Sequence, residues 1–551
     1  MTNHPAIAET ITAHTRDAYA REALRSIPKL LQLVDRNQFS PTYGCFDRSY
    51  WHYRTMDFPS GMYQEFVLPL ALAYAHPLVE NPYYKQKRVA EIAEAGIEFA
   101  RRASHPDSSS DDYFPYERAL GAHVFSLYAM SEAYQVLHLN NPAFVEFFAR
   151  RGDWLIRHQE TGQLANHQAL AALALYNVYL LTNEERFRRA SDERKRITLS
   201  WQDSEGWFQE YEGADPGYHS CSIDFLGKLR QKSNDDSLLE PLKRAVEFAW
   251  YFAHPDGSYA GEYGSRNTYH FYPHGFELMA PYSEKAGQIA DHFLKIGLPR
   301  GTRYFNEDDR MCAHYVYNWM QAYLDYYPQR PADIRSTEPF ERWFPHAQIV
   351  VKKTLTYHAV AAMNKGGVLK VFNEEGCIVS DTGIMARSSN GKVFVAHLVD
   401  PQHDIDARPS KFIYSVDGYL SKRRKNLPTP LKQLIFRILL LTIGRFSANL
   451  TRFLLQKILI TGKSRSAVRF TRTLRFGEQS IFIQDGIAAP GGMKFDALKC
   501  GSDATSIYVA NSNVYQRSVL TEWTDLSAYL DELNTKGNVI IEREIFTGST
   551  Q

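Results

Sequence analysis

Three side chains carry the chemistry that this sequence suggests: Asn166, His167 and Tyr218. The first two sit in GQLANHQALAALALYNVYLL, whose apolar spacing predicts a helix over 165–182 with both residues in its first turn. The positive end of a helix dipole favours a neutral, basic imidazole at that place, and the amide offers a donor to an anion. Tyr218 follows His167 by fifty-one residues, at the end of WFQEYEGADPGY. There an acidic, Gly-rich loop runs through Pro216-Gly217 into an apolar segment, a setting that can hold a phenol rigidly in a cleft. A phenol with a free pKa of about 10 can protonate a leaving oxygen; with a cation beside it, it can also accept a proton. An amide, an imidazole and a phenol brought together suit removal of a weakly acidic proton beside a carboxylate.

A third segment, GEYGSRNTYHFYPHGFELMAPY at 261–282, adds further candidates. Arg266 and Asn267 could clamp a carboxylate, since a guanidinium is a planar two-pronged donor. His270 and His274 are candidates for proton transfer, and Tyr269 and Tyr272 for sugar contact. The two histidines are four apart, but Pro273 lies between them and no H-E-x-x-H pattern occurs, so neither metal nor cofactor is expected. Gln168 and His219, beside the motif residues, are candidate substrate contacts. So are Arg48, Trp51, His52 and Tyr53, in the turn-rich aromatic stretch 40–62, because long irregular loops inside compact folds are often functional.

The chain has 551 residues, too many for one ordinary core, so two or three domains are expected. Its 63 basic and 62 acidic residues argue against a nucleic-acid binder. The five cysteines (Cys45, Cys221, Cys312, Cys377 and Cys500) are scattered and lack a C-x-x-C pair, which supports neither a disulfide framework nor a cysteine zinc site. The first residues show no secretory apolar run, so the expected location is cytoplasmic, with peripheral contact at the inner membrane face.

These residues must be positioned by two different kinds of structure. Residues 1–35 read as helix interrupted at Pro28, and from about 62 to 330 ten amphipathic helices recur with short links. They predict an incomplete (α/α) toroid over 1–335. From about 345 the runs become short and β-branched, as in AQIVVKK, GVLKVFN, SIFIQDGI, SIYVANS and NVIIEREIF, and predict an antiparallel β-sandwich over 345–551. Helices first and strands after make an α+β multidomain chain. One stretch departs from the strand pattern: residues 422–475 hold fourteen Lys and Arg and no acid. Within it, 422–465 reads as a basic amphipathic helical insertion, suited to packing on the sandwich or to peripheral membrane contact.

ANHQ at 165–168, EGADPGYHS at 212–220 and the change from a helical to a β half together resemble the heparinase II/III-like polysaccharide lyases and the related alginate lyases. The likeness covers most of the chain in architecture but only about twenty residues in motif. It implies a substrate cleft along the toroid, closed by the second domain, and an anionic polysaccharide or oligosaccharide partner. It also implies that Asn166 neutralises a uronate carboxylate, that His167 serves as base for one substrate stereochemistry or as carboxylate ligand, and that Tyr218 is the general acid and, for the other stereochemistry, also the base. The H-G-H-x-D-like stretch of many relatives is missing: His358, His397 and His403 stand outside any such pattern. Two other enzymes fit the same residues. A uronyl C5-epimerase needs the same proton abstraction, and an α/α-barrel glycoside hydrolase would use carboxylates among Asp111, Asp112, Glu210, Glu212 and Asp215.

Overall fold

The computed structural model describes residues 5–159, 162–301, 309–334, 338–423, 429–447, 464–502 and 522–547. Helices come first: α1 (Pro5–Leu33), α2 (Arg48–Trp51), α3 (Val67–Ala75), α4 (Lys87–Ala103), α5 (Leu120–Val136), α6 (Pro142–Arg157), α7 (Ala165–Thr182), α8 (Glu185–Ser200), α9 (Pro216–Ser233), α10 (Leu239–Trp250), α11 (Pro273–Met279), α12 (Glu284–His292) and α13 (Cys312–Leu324). A two-stranded ribbon, β1 (Gln209–Glu210) with β2 (Gly213–Ala214), precedes α9. The helix α1 runs through Pro28 without a break.

Sequence pattern sorts the helices into two layers. The helix α7 is apolar almost all round and α5 is buried on nearly every side, whereas α4, α6 and α10 have one apolar stripe and one charged face. The first kind belongs inside a helical assembly and the second at its surface. The contacts follow: α3, α5, α7, α9, α11 and α13 each pack against the next, and α13 packs against α3. The inner ring therefore closes, where the sequence suggested an incomplete toroid. The long first helix supplies the reason, because α1 packs along α13 and provides that helix with an outer partner.

Strands follow from Phe340. A five-stranded antiparallel meander holds β3 (Phe340–Phe344), β4 (Ile349–Lys353), β5 (His358–Ala362), β6 (Val368–Asn373) and β7 (Gly376–Asp381), in that order. A nine-stranded antiparallel sheet follows, containing β8 (Ile384–Ser388), β9 (Val393–Val395), β10 (Asp404–Arg408), β11 (Ile413–Arg423), β12 (Arg465–Phe476), β13 (Ser480–Ala488), β14 (Phe495–Cys500), β15 (Thr524–Asp525) and β16 (Asn538–Phe546). The two sheets share one core: Ala359 and Ala361 of β5 meet Phe470 and Leu474 of β12 and Ile481 and Ile483 of β13 there. The alternate residues of β5, Val360 and Ala362, join the core of the helical half. The central strands β4, β5 and β6 of the meander are thus covered on both faces, which is why they read as continuous apolar runs. By contrast β12 alternates buried and exposed along most of its length. The expected strand SIYVANS lies outside the described residues.

The basic insertion supplies one described helix, α14 (Pro430–Leu439), which continues as a wider turn over Leu440–Gly444. Residues 448–463 lie outside the described set, and the final short helix is α15 (Leu530–Lys536).

Candidate functional site

The N-terminal ends of the inner helices meet. His167 is the third residue of α7, Tyr218 the third of α9, and His314 the third of α13. Phe125, near the start of α5, lies 6.2 Å from His167 and 5.2 Å from His314, centroid to centroid. His270, just before α11, lies 6.4 Å from His314 and 4.9 Å from Tyr218. Glu65, just before α3, accepts from Tyr317 at 2.9 Å and sits 3.1 Å from His314 Nδ1. Buried groups form the floor (His270, His314, Tyr272 and Glu65), while His167 and Tyr218 are half-buried above it. Helix N-termini gathered in this way present positive dipole ends to whatever enters.

Local sequence explains the approach of Tyr218 to His270. Asp215 caps α9 by accepting from the Tyr218 N–H at 3.0 Å, and also accepts from the Arg266 N–H at 2.9 Å and from the Thr268 hydroxyl. One carboxylate therefore ties the helix start to the loop that carries Arg266 and His270. Gly217 lets them close: a Cβ there would meet Thr268 Oγ1 at 2.2 Å. Gly121 does the same service for His167, whose ring would lie 3.0 Å from an added Cβ. The Arg266 guanidinium stacks 4.3 Å over the Tyr211 ring. Both Tyr211 (φ 56°) and Asn267 (φ 57°) hold left-handed backbone that non-glycine residues adopt at a cost.

The strand half fixes the same loop. Lys365 donates to the Gly264 carbonyl at 2.7 Å, to the Glu262 carbonyl and to Asn267 Oδ1. Lys370 pairs with Glu262 at 2.5 Å and donates to the Tyr269 hydroxyl at 2.8 Å. Asn267 and Tyr269 thereby help to hold the loop in place.

Electrostatics separate the roles further. Asn166 donates from its backbone N–H and from Nδ2 to the two oxygens of Glu210, both at 2.9 Å. Its Oδ1 is buried with no hydrogen-bond partner among the described residues. One of the two Nδ2 hydrogens is engaged by Glu210, leaving the other for an anion. Burial pushes the Glu210 carboxyl up to about 8, against the lowering effect of the Asn166 donors. Burial also raises the Tyr218 phenol well above its ordinary value, opposed by the positive charge of Arg266. The phenol therefore keeps its proton at neutral pH.

Other expected site residues are engaged elsewhere. Gln168 Oε1 accepts from buried Arg194 at 2.7 Å, between α7 and α8. Gln168→Ala should cost about 1.5–3 kcal/mol of stability in a denaturation curve, since it removes a bond to a charged donor, and should leave KM unchanged. His219 Nε2 donates to the Ala245 carbonyl at 2.8 Å, and its Nδ1 accepts from the Phe208 N–H at 3.3 Å. Burial lowers its pKa to about 4, so it is a neutral packing residue. His274 lies in the ring wall, 2.8 Å from Asp325 and 3.5 Å from Asp224, which itself pairs with Lys228 at 2.6 Å. Burial alone would lower its pKa, but the two carboxylates outweigh burial and hold it above the ordinary value. Neither His219 nor His274 faces the convergence of helix ends. Tyr272 is buried against Phe225 and His314, in the floor.

In the 40–62 stretch, Trp51 donates to the Leu33 carbonyl at 2.8 Å, Arg48 lies over the Tyr53 ring at 5.2 Å, and His52 packs between Trp51 and Tyr53. Their contacts among the described residues do not reach Tyr218 or His270. Four of the five carboxylates considered for a hydrolase are held in other work, and the fifth, Glu212, is exposed. Asp111 accepts from the Tyr116 and Arg118 N–H groups, Asp112 from Ser60 and Arg310, Glu210 from Asn166, and Asp215 caps α9. Of the β-half histidines, His397 and His403 lie beside the Thr382 and Asn364 carbonyls. Among the described residues no group of three His, Cys, Asp or Glu side chains is placed to hold a metal ion.

Sequence reasoning missed Glu65, Phe125, His314 and Tyr315, whose hydroxyl bonds His270 Nδ1. One signal was available: His314 has the same third-residue position in its helix as His167 and Tyr218.

Comparison with protein-family models and with curated proteins finds no match. Solved structures do match in shape. The Streptomyces coelicolor A3 chondroitin AC lyase, solved in complex with chondroitin sulphate, superposes with a TM-score of 0.53 at 10% identity, over 91% of this chain and 69% of that one. An unsaturated glucuronyl hydrolase from Streptococcus agalactiae gives 0.39 at 11% identity, over 57% and 93% of the two chains. A GH127 β-L-arabinofuranosidase from Geobacillus stearothermophilus T6 gives 0.37 at 10% identity, over 96% and 94%. At such identities the first likeness is one of fold: a helical toroid followed by antiparallel sheets.

Proposed function

We propose that this chain is a polysaccharide lyase that cleaves a uronic-acid-containing anionic polysaccharide by β-elimination. The observation that carries the reading is the chain of ring contacts at converging helix N-termini that links His167 through Phe125 and His314 to His270 and Tyr218, with Arg266 close enough to act on the Tyr218 phenol. Positive dipole ends and a guanidinium favour a bound carboxylate. The shared fold with a lyase solved in complex with chondroitin sulphate is consistent with it.

In the scheme, the uronate carboxylate lies toward Arg266 and the remaining Nδ2 hydrogen of Asn166. Donors aimed at charge that develops there stabilise the carbanion-like transition state. His167 takes the C5 proton, and that C–H electron pair becomes the C4–C5 double bond. The C4–O4 bond breaks, and O4 takes the Tyr218 proton. A neutral phenol suits the donor role, because burial keeps the proton on it. His270 packs against the Tyr218 ring and is itself held by Tyr315, which makes it a positioning residue.

The test is a product spectrum. Incubation with chondroitin, alginate or glucuronan should yield an unsaturated uronate, seen as rising ultraviolet absorbance and a pair of fragments with no added water. Fragments heavier by one water would mean a hydrolase. Uncleaved polymer carrying solvent deuterium at C5 would mean an epimerase. Either result overturns the lyase.

A further inference from the structure

The helix α14 carries its apolar residues on the wrong side for a soluble surface. Leu431, Leu434, Ile435, Ile438 and Leu441 recur at three and four, and are 66%, 58%, 58%, 53% and 45% exposed. Phe446, just beyond the wider turn, is 87% exposed. The opposite face is the docked one. Phe436 packs edge-on against Phe114 at 5.2 Å, Leu440 and Gly444 are buried, and Arg437 pairs with Asp57. Contacts with the 57–58 and 113–116 loops therefore fix the helix so that its aliphatic stripe points outward. Soluble surfaces seldom show such a contiguous stripe unless something covers it.

We propose that α14 is an interfacial helix that seats this protein on an anionic lipid surface. Charge selects this occupant. Residues 422–475 carry fourteen basic residues and no acid; Arg437, Arg465, Arg469 and Arg472 are paired with Asp57, Asp400, Asp417 and Asp485, whereas Lys432 and Arg445 are exposed on α14 and its continuation. A second copy would bring the same positive face against itself, which is repulsive. A bilayer with anionic headgroups takes the aliphatic stripe into its acyl boundary and the cations at its surface. No described helix is long and apolar enough to cross a membrane, so the contact is peripheral.

The experiment is flotation of the full chain with phosphatidylcholine vesicles, with and without phosphatidylglycerol. Binding should need phosphatidylglycerol and weaken with salt. The exposed double variant Leu434→Ser/Ile438→Ser should bind about 10-fold or more weakly, because two aliphatic side chains no longer enter the acyl boundary. Lys432→Glu should weaken binding to the anionic vesicles. Both variants should keep wild-type melting temperature, since these side chains touch solvent. Absence of binding to either vesicle overturns the proposal. So does a dimer in solution that the double variant converts to monomer without any vesicle binding. Neither readout depends on catalysis, so failure here leaves the lyase reading standing.

Discussion

Tyr218→Phe should lower turnover on a uronate polymer by about 10²–10⁴-fold, the range a positioned proton donor contributes. The fold should be unaffected. The Tyr218 ring packs against His270, and that contact survives in phenylalanine. Its hydroxyl makes no hydrogen bond to a described residue, so removing it orphans no buried partner. The melting temperature should move by no more than about 2 °C. The loss should fall on kcat, with KM little changed, because proton donation is an interaction of the transition state. Full activity in this variant would remove the phenol from the mechanism. A melting temperature lowered by about 10 °C would instead make Tyr218 a packing residue.

The sequence exposed the helices well, because their pattern is set by burial. The predicted helix at 165–182 and the predicted strand NVIIEREIF both match the structure residue for residue. Strands β7, β10 and β15 were not legible. They are short, polar or at sheet edges, so the alternation that marks a half-buried strand is absent from them. The site was legible only in part, for a geometric reason. Successive helical residues point about 100° apart, so one motif cannot send all its side chains to one cleft. His167 faces the convergence while Gln168 faces α8; Tyr218 faces it while His219 faces α10. The partners His314 and Glu65 lie 249 residues apart in sequence, and only closure of the ring joins them.

Closure also explains why the strand half bears on chemistry. The loop 261–270 carries Arg266 and His270, and it is held from below by Asp215 of the toroid and from above by Lys365 and Lys370. A site shared between two structural halves in this way is sensitive to either. Mutations in β6 should therefore alter the helical site through the loop, without any direct contact to Tyr218.

Glu210→Gln should make two stability curves cross. In the native protein the Glu210 carboxyl is raised from its ordinary value to about 8, chiefly by burial. In the unfolded chain it titrates at about 4.3. Between those values the unfolded state is ionised and the folded state holds its proton, so stability falls as pH rises through that window. The loss is complete only above about 8, and on the order of 5 kcal/mol is at stake. Glutamine has no proton to lose, so this slope should vanish in the variant. It cannot accept from both Asn166 donors, because one of its termini is itself a donor; that should cost about 1–3 kcal/mol at every pH. The variant should thus be the less stable protein near pH 5 and the equal or more stable one near pH 9, in urea denaturation at each pH. The same substitution should erase any limb near pH 8 in kcat/KM, because Glu210 orients Asn166 and its charge reaches Tyr218. Two parallel stability curves would mean that Glu210 is already ionised across the range. The carboxylate would then hold Asn166 as a fixed anion, and the alkaline limb, if seen, would belong to another group.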